Sequence, residues 1–128
     1  MMKTSCANRT LGLLAEIMAA NIEEPLPLQE IAEAIHISLR QLERLFHCYF
    51  SMNPAQYYMN LRLRCARELL MHSSLPIMQV TIACGFQSSS HFCKAYRSLF
   101  GHPPSSERRR YLVPAAVPAA KPRIVRVA

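Results

Sequence analysis

The chain contains one segment twice, and that repetition constrains its architecture more than any other feature. Residues 28–50 align with residues 77–100. Ile31 matches Val80, Ala34 matches Ala83 and Ile37 matches Phe86, all at an offset of 49. One inserted residue raises the offset to 50, so that Ser38 matches Ser88, Leu42 matches Phe92, Arg44 matches Lys94, Phe46 matches Tyr96 and Phe50 matches Phe100. The match continues past the apolar segments, with Ser51-Met52-Asn53-Pro54 over Gly101-His102-Pro103-Pro104. A repeat of this kind sets the architecture before any single segment is read.

Each copy reads as a short apolar helix, a tight turn, a Ser and a second helix with one apolar and one cationic face. This is the pattern of a helix-turn-helix, in which the second helix enters the major groove of DNA. The expected fold is all-α: two helix-turn-helix subdomains, homeodomain-like and in tandem, joined by a long linker helix. The expected boundaries are 9–52 for the first subdomain, 53–73 for the linker helix and 74–111 for the second. Residues 112–128 carry Pro114, Pro118 and Pro122 among Ala, Val, Lys and Arg, and read as a disordered basic tail.

Along the chain, residues 1–8 carry no pattern and read as loose. A helix is expected over 9–21, ended by Asn21 and Pro25-Leu26-Pro27. Leu28 to Ala34 forms a short second helix. His36 stands at the turn where Gly85 stands in the second copy, a position suited to a left-handed residue. Ser38 caps a helix over 39–49. Asn53-Pro54 starts the linker helix, with Gln56 three residues after the cap. That helix runs without an internal Gly or Pro to about His72, roughly 30 Å. Ser88 caps a helix over 89–99, and Pro103-Pro104 opens a last short one.

Charge supports a polyanionic partner. The net charge is +7, there is no Asp, and all but Lys3 and Arg9 of the 15 Lys and Arg residues lie from Ile37 onward. Over that stretch the only acids are Glu43, Glu68 and Glu107. In the third helix Leu42, Leu45, Phe46 and Tyr49 form the inward stripe. Arg40, Arg44 and His47 form the outward one, with Gln41 and Glu43 beside them. In the second copy Phe92, Ala95, Tyr96 and Leu99 face inward, and Ser90, Lys94 and Arg97 face outward. Arg can clamp guanine, Gln can clamp adenine and Glu can accept from cytosine. For one helix an ordinary solvated face would be the better reading, and two matched faces favour a nucleic-acid surface. Two such helices on one face of a duplex must lie about 34 Å apart, close to the length of the linker helix. Arg62, Arg64 and Arg67 on the linker are assigned either to phosphate or to pairing with Glu68 or Glu43.

Other chemistry is thinly supported. Five cysteines, with no C-x-x-C pair, argue against a disulfide framework and for a reducing cytoplasm. Cys48, Cys65 and Cys84 read as small buried hydrophobes. His47-Cys48 and His91-Cys93 lack zinc-site spacing, so no metal and no cofactor are expected. Without Asp or a Gly-rich phosphate loop, no catalytic residue is assigned and no enzyme is expected. No run reaches the roughly 20 apolar residues of a membrane span.

The stretches Ile37-Ser38-Leu39-Arg40-Gln41-Leu42-Glu43-Arg44-Leu45-Phe46, Arg62-Leu63-Arg64-Cys65-Ala66-Arg67-Glu68-Leu69-Leu70, Ala83-Cys84-Gly85-Phe86, Ser90-His91-Phe92 and Phe100-Gly101-His102-Pro103-Pro104 resemble the AraC/XylS family of bacterial transcription regulators. The resemblance covers about residues 9–111. It is closest to a subgroup with an upstream amidotransferase-like domain, some of whose members regulate amino-acid or amine catabolism. It implies two helix-turn-helix units, promoter binding and activation through RNA polymerase. It places base contacts at Arg40, Gln41, Glu43 and Arg44, and at Ser89, Ser90, His91, Cys93 and Lys94. In many members the second unit binds mainly the DNA backbone. No sensing or dimerisation domain precedes residue 9, which implies a fragment or a stand-alone reader, and no small-molecule effector is expected within the chain. The expectation is therefore a cytoplasmic, sequence-specific activator whose partner is double-stranded DNA. The competing reading is a protein-interaction module that binds an acidic partner or RNA polymerase without reading DNA.

Overall fold

The computed structural model describes residues 2–112, with side chains described for 7–108. Seven helices follow one another: α1 Met2–Ala20, α2 Leu28–Ala34, α3 Leu39–Phe50, α4 Pro54–His72, α5 Ile77–Ala83, α6 Ser89–Phe100 and α7 Pro104–Leu112. There is no strand among the described residues. The chain forms two compact units that part between Met59 and Asn60, inside α4. The tail expected after 112 lies outside the described residues.

The first unit is built on α1, α2, α3 and the start of α4. Leu11, Leu14 and Met18 form the buried stripe of α1 and share the core with Ile31, Ala32, Leu42, Phe46 and Tyr58. Asn21 ends α1 by donating its Nδ2 to the Ile17 carbonyl at 2.7 Å. Tyr58 reaches back from α4 to hold the following loop. Its hydroxyl donates to the Asn21 carbonyl at 2.6 Å and accepts from the Leu26 N–H at 3.1 Å. Helix α1 begins at Met2, seven residues before its expected start. Residues 2–8 hold no Pro or Gly, and elongating a helix that is already nucleated needs no apolar stripe.

The second unit is built on the rest of α4 with α5, α6 and α7. Leu61, Leu63, Ala66, Leu69 and Leu70 of α4 are buried, as are Val80, Cys84, Phe86, Phe92 and Tyr96. Arg108 of α7 finishes α4. Its Nε donates to the Leu70 carbonyl at 3.0 Å and its Nη2 to the Ser73 carbonyl at 2.9 Å. The Leu70 carbonyl is among the last four of α4, which have no partner inside the helix, and Ser73 is the residue that follows its end. Cys65 and Cys84 are in hydrogen-bond contact. That bond and burial push the Cys84 thiol up, while the bond lowers Cys65.

The repetition in the sequence is also a repetition of backbone bonds. The Ile37 N–H donates to the Ala32 carbonyl at 3.0 Å, and Phe86 to Thr81 at 3.1 Å. The His36 N–H donates to Glu33, and Gly85 to Ile82. The left-handed residues also match: His36 at φ 59° with Gly85 at φ 82°, then Ser51 at φ 55° with Gly101 at φ 84°. The correspondence runs on into α4 and α7, whose first residues Pro54 and Pro104 are both buried. One slot beyond them has diverged. In the first copy Tyr57 stacks on Phe50 at 4.8 Å and meets Phe46 edge-on at 5.1 Å. In the second copy Glu107 occupies the position of Tyr57, beside Tyr96 and His102.

Glu107 is only 3% exposed. Its Oε1 accepts from the Tyr96 hydroxyl at 2.7 Å and lies 2.7 Å from His102 Nε2. Arg67 Nε stands 3.5 Å from Oε2, and the Arg67 guanidinium also lies over the Phe100 ring at 5.0 Å. Burial pushes the Glu107 carboxyl up, but the bonds to His102 and Tyr96 and the Arg67 charge outweigh it and hold the carboxyl below the usual range.

Candidate nucleic-acid interface

Each second helix of a repeat is fixed at both ends and by its inner face. Ser38 is extended at φ −81°, ψ 160°, and its Oγ accepts from the Gln41 N–H at 3.1 Å. Gln41 answers with its Oε1, which accepts from the Ser38 N–H at 2.9 Å and completes a capping box. Ser88 repeats the cap, accepting from the His91 N–H at 3.1 Å. The far ends close in left-handed residues, where the Ser51 N–H donates to His47 and the Gly101 N–H to Arg97. Leu42 and Phe46 anchor α3 with no exposed surface, and Phe92 and Tyr96 do the same for α6.

The faces left outside are the ones the sequence nominates. Arg40, Gln41, Glu43, Arg44 and His47 are exposed on α3. On α6, Ser90, His91, Lys94 and Arg97 are exposed, while Ser89 and Cys93 are half-buried. Among the described residues no carboxylate pairs with Arg40, Arg44, Lys94 or Arg97. These cations are therefore held in place by their helices and remain available to an anion.

The linker cations behave otherwise. Arg62 reaches the end of α5. Its Nε donates to the Cys84 carbonyl at 3.0 Å, its Nη2 donates to the Gly85 carbonyl at 2.7 Å, and its guanidinium lies 4.3 Å from the Phe86 ring centroid. It thus clamps the turn that leads into α6. Arg67 serves Glu107, Glu68 faces His72 at 3.6 Å, and Arg64 is exposed.

Two inward assignments fail. Tyr49 is 43% exposed, because the last turn of α3 runs past the core that Leu42 and Phe46 fill. Cys48 is exposed as well. Six residues at 100° each carry it about 240° round from Leu42. Sequence reasoning also missed Glu107, His102 and Arg108 as packing groups. A lone acid among arginines was the available signal for the first. Among the described residues no cluster of His, Cys, Asp or Glu could hold a metal ion, and no helix is long and apolar enough to cross a membrane.

Comparison with known proteins gives the same picture from another direction. A family model described as a helix-turn-helix domain matches residues 31–110. The HTH-type transcriptional regulator GbdR of Pseudomonas aeruginosa is 48% identical over 96 residues, which are 75% of this chain and 26% of that protein. The chain spans about a quarter to a third of the length of the curated relatives it matches. A solved transcriptional regulator from Chromobacterium violaceum, described as of AraC-type DNA-binding domain-containing proteins, superposes with a TM-score of 0.80 at 42% identity. The match covers 90% of this chain and 99% of that one. The DNA-binding domain of AdpA, solved in complex with a target DNA, superposes with a TM-score of 0.73 at 25% identity, covering 84% of this chain and 98% of that one.

Proposed function

The chain belongs to the helix-turn-helix family of AraC-type DNA-binding domains, and from that membership we propose that it binds duplex DNA site-specifically to regulate transcription. Helices α3 and α6 enter successive major grooves. One observation carries this reading: two helices on the same hydrogen-bonded scaffold present exposed cations that no carboxylate among the described residues neutralises. Arg40 and Arg44 fit guanine edges and Glu43 fits cytosine, with His47 at the far end of the stripe. Ser90 and Cys93 suit short contacts, while Lys94 and Arg97 suit phosphate. Activation through RNA polymerase and a cytoplasmic location are the finer parts of the proposal, and family membership is their support. No catalytic role is proposed.

Selection of bound duplexes from a random pool, followed by titration at physiological salt, tests the reading. The recovered site should bind at least about 1,000-fold more tightly than random duplex, and affinity should fall steeply with salt. A chain that retains no duplex, or retains all duplexes equally, is not a site-specific reader.

A further inference from the structure

Gln41 and His91 occupy the same position in the two copies, third in α3 and third in α6. Both side chains are turned back onto their own unit. The Gln41 Oε1 accepts from the Ser38 N–H at 2.9 Å and lies 3.3 Å from the Ser38 Oγ. The His91 ring meets Phe86 edge-on, with centroids 5.4 Å apart. Phe86 is the buried residue at the turn, the one that Arg62 covers.

A glutamine that reads adenine presents Oε1 and Nε2 to the base together. Turning the Gln41 amide outward for that purpose would take its oxygen from the Ser38 N–H, one of the donors at a helix start that no carbonyl of the helix can satisfy. Position three also lies beside the stripe of Arg40, Arg44 and His47 rather than on it, because one residue is 100° of helix.

We propose that Gln41 and His91 are positioning residues. They fix the first turn of each recognition helix, and base selection is left to Arg40, Glu43 and Arg44 in α3 and to Ser90 and Cys93 in α6. This inference rests on the DNA-reading function proposed above. It predicts an uneven distribution of specificity, in which the residues at position three set how firmly every site is held but not which site is chosen.

The test compares base preference at each position of the selected duplex for the full chain and for Q41E, Q41A and H91F. Glutamate can still accept from the Ser38 N–H but has no donor for adenine N7, and phenylalanine keeps the ring contact but has no polar atom. Both variants should keep the parental preference within about fivefold at every base, whatever the added carboxylate does uniformly to affinity. Q41A, which keeps the Ser38 cap but removes the acceptor of the Ser38 N–H, should weaken binding to all duplexes alike, by about three- to tenfold, the order of one lost hydrogen bond. A change above about fivefold at one base in Q41E or H91F would make that residue a reader, because a bidentate base contact carries at least that much. Unchanged affinity and preference in Q41A would also overturn the proposal. If the parent chain binds no duplex, the DNA-reading function itself fails, and that result is distinct from either of these.

Discussion

Arg62→Ala should destabilise the second unit by about 2–3 kcal/mol. The figure follows from what the guanidinium holds. Two hydrogen bonds run to the carbonyls of Cys84 and Gly85 at 3.0 and 2.7 Å, and a third contact runs to the Phe86 ring at 4.3 Å. Bonds involving a charged donor contribute about 1.5–3 kcal/mol each. Arg62 is half-buried and water can replace part of what is lost, so about 1 kcal/mol for each bond is the appropriate value here. A cation over an aromatic face at such a site adds about 0.5–1 kcal/mol. Urea unfolding followed by helical circular dichroism measures the change, read as a lower midpoint at constant slope. Arg62→Lys separates the contributions. It keeps the charge and one bond but lacks the planar fork, so it should recover less than half of the loss. A loss below about 0.5 kcal/mol in Arg62→Ala would show that the turn holds itself and that the clamp is incidental.

Three further outcomes are expected. Arg44→Ala should cost about 1–3 kcal/mol of binding and relax preference at particular bases, whereas Lys94→Ala should weaken all sequences alike and lower the salt slope by about one, as titrations on selected and random duplexes would show. Glu107 has a native pKa held below its unfolded value, so its stabilisation is complete above the ordinary carboxylate range and is lost as pH falls through the lowered value. Glu107→Gln should remove about 1–3 kcal/mol at neutral pH and flatten the acid limb of a stability–pH curve. Gly101→Ala meets no atom within 4 Å, but its φ of 84° strains any side chain, so a loss of about 1 kcal/mol in thermal unfolding is expected without any change in packing.

The fold was legible where one residue type decides a local geometry. Ser38 and Ser88 announce helix starts, Gly85 and Gly101 announce left-handed ends, and Asn53-Pro54 opens α4, where Asn53 Oδ1 accepts from the Gln56 N–H at 2.8 Å. The repeat then extended each of these signals to its counterpart, including the less obvious His36 and Ser51. The exposed cations of α3 and α6 were legible because a helix with one buried stripe must turn the opposite face outward. What escaped was set by contacts distant in sequence. The partners of Arg62 lie about twenty residues on, and those of Arg108 more than thirty residues back, so helical spacing gives no sign of them. Tyr49 satisfied the apolar stripe and still emerged at the surface, because periodicity gives direction but not where the core ends. Gln41 shows a competition visible in the sequence itself: Ser38 followed by Gln three residues later spells a capping box as clearly as it spells a base reader.

The divergence between Tyr57 and Glu107 makes the twin halves respond unequally to their surroundings. An aromatic stack is indifferent to protons, whereas an enclosed carboxylate shared by a phenol, an imidazole and a guanidinium is not. Strong acid, below the ordinary carboxylate range, should therefore loosen the seating of α6 while leaving that of α3 unaltered, and a chain made by duplication would then carry one acid-sensitive grip and one constant grip.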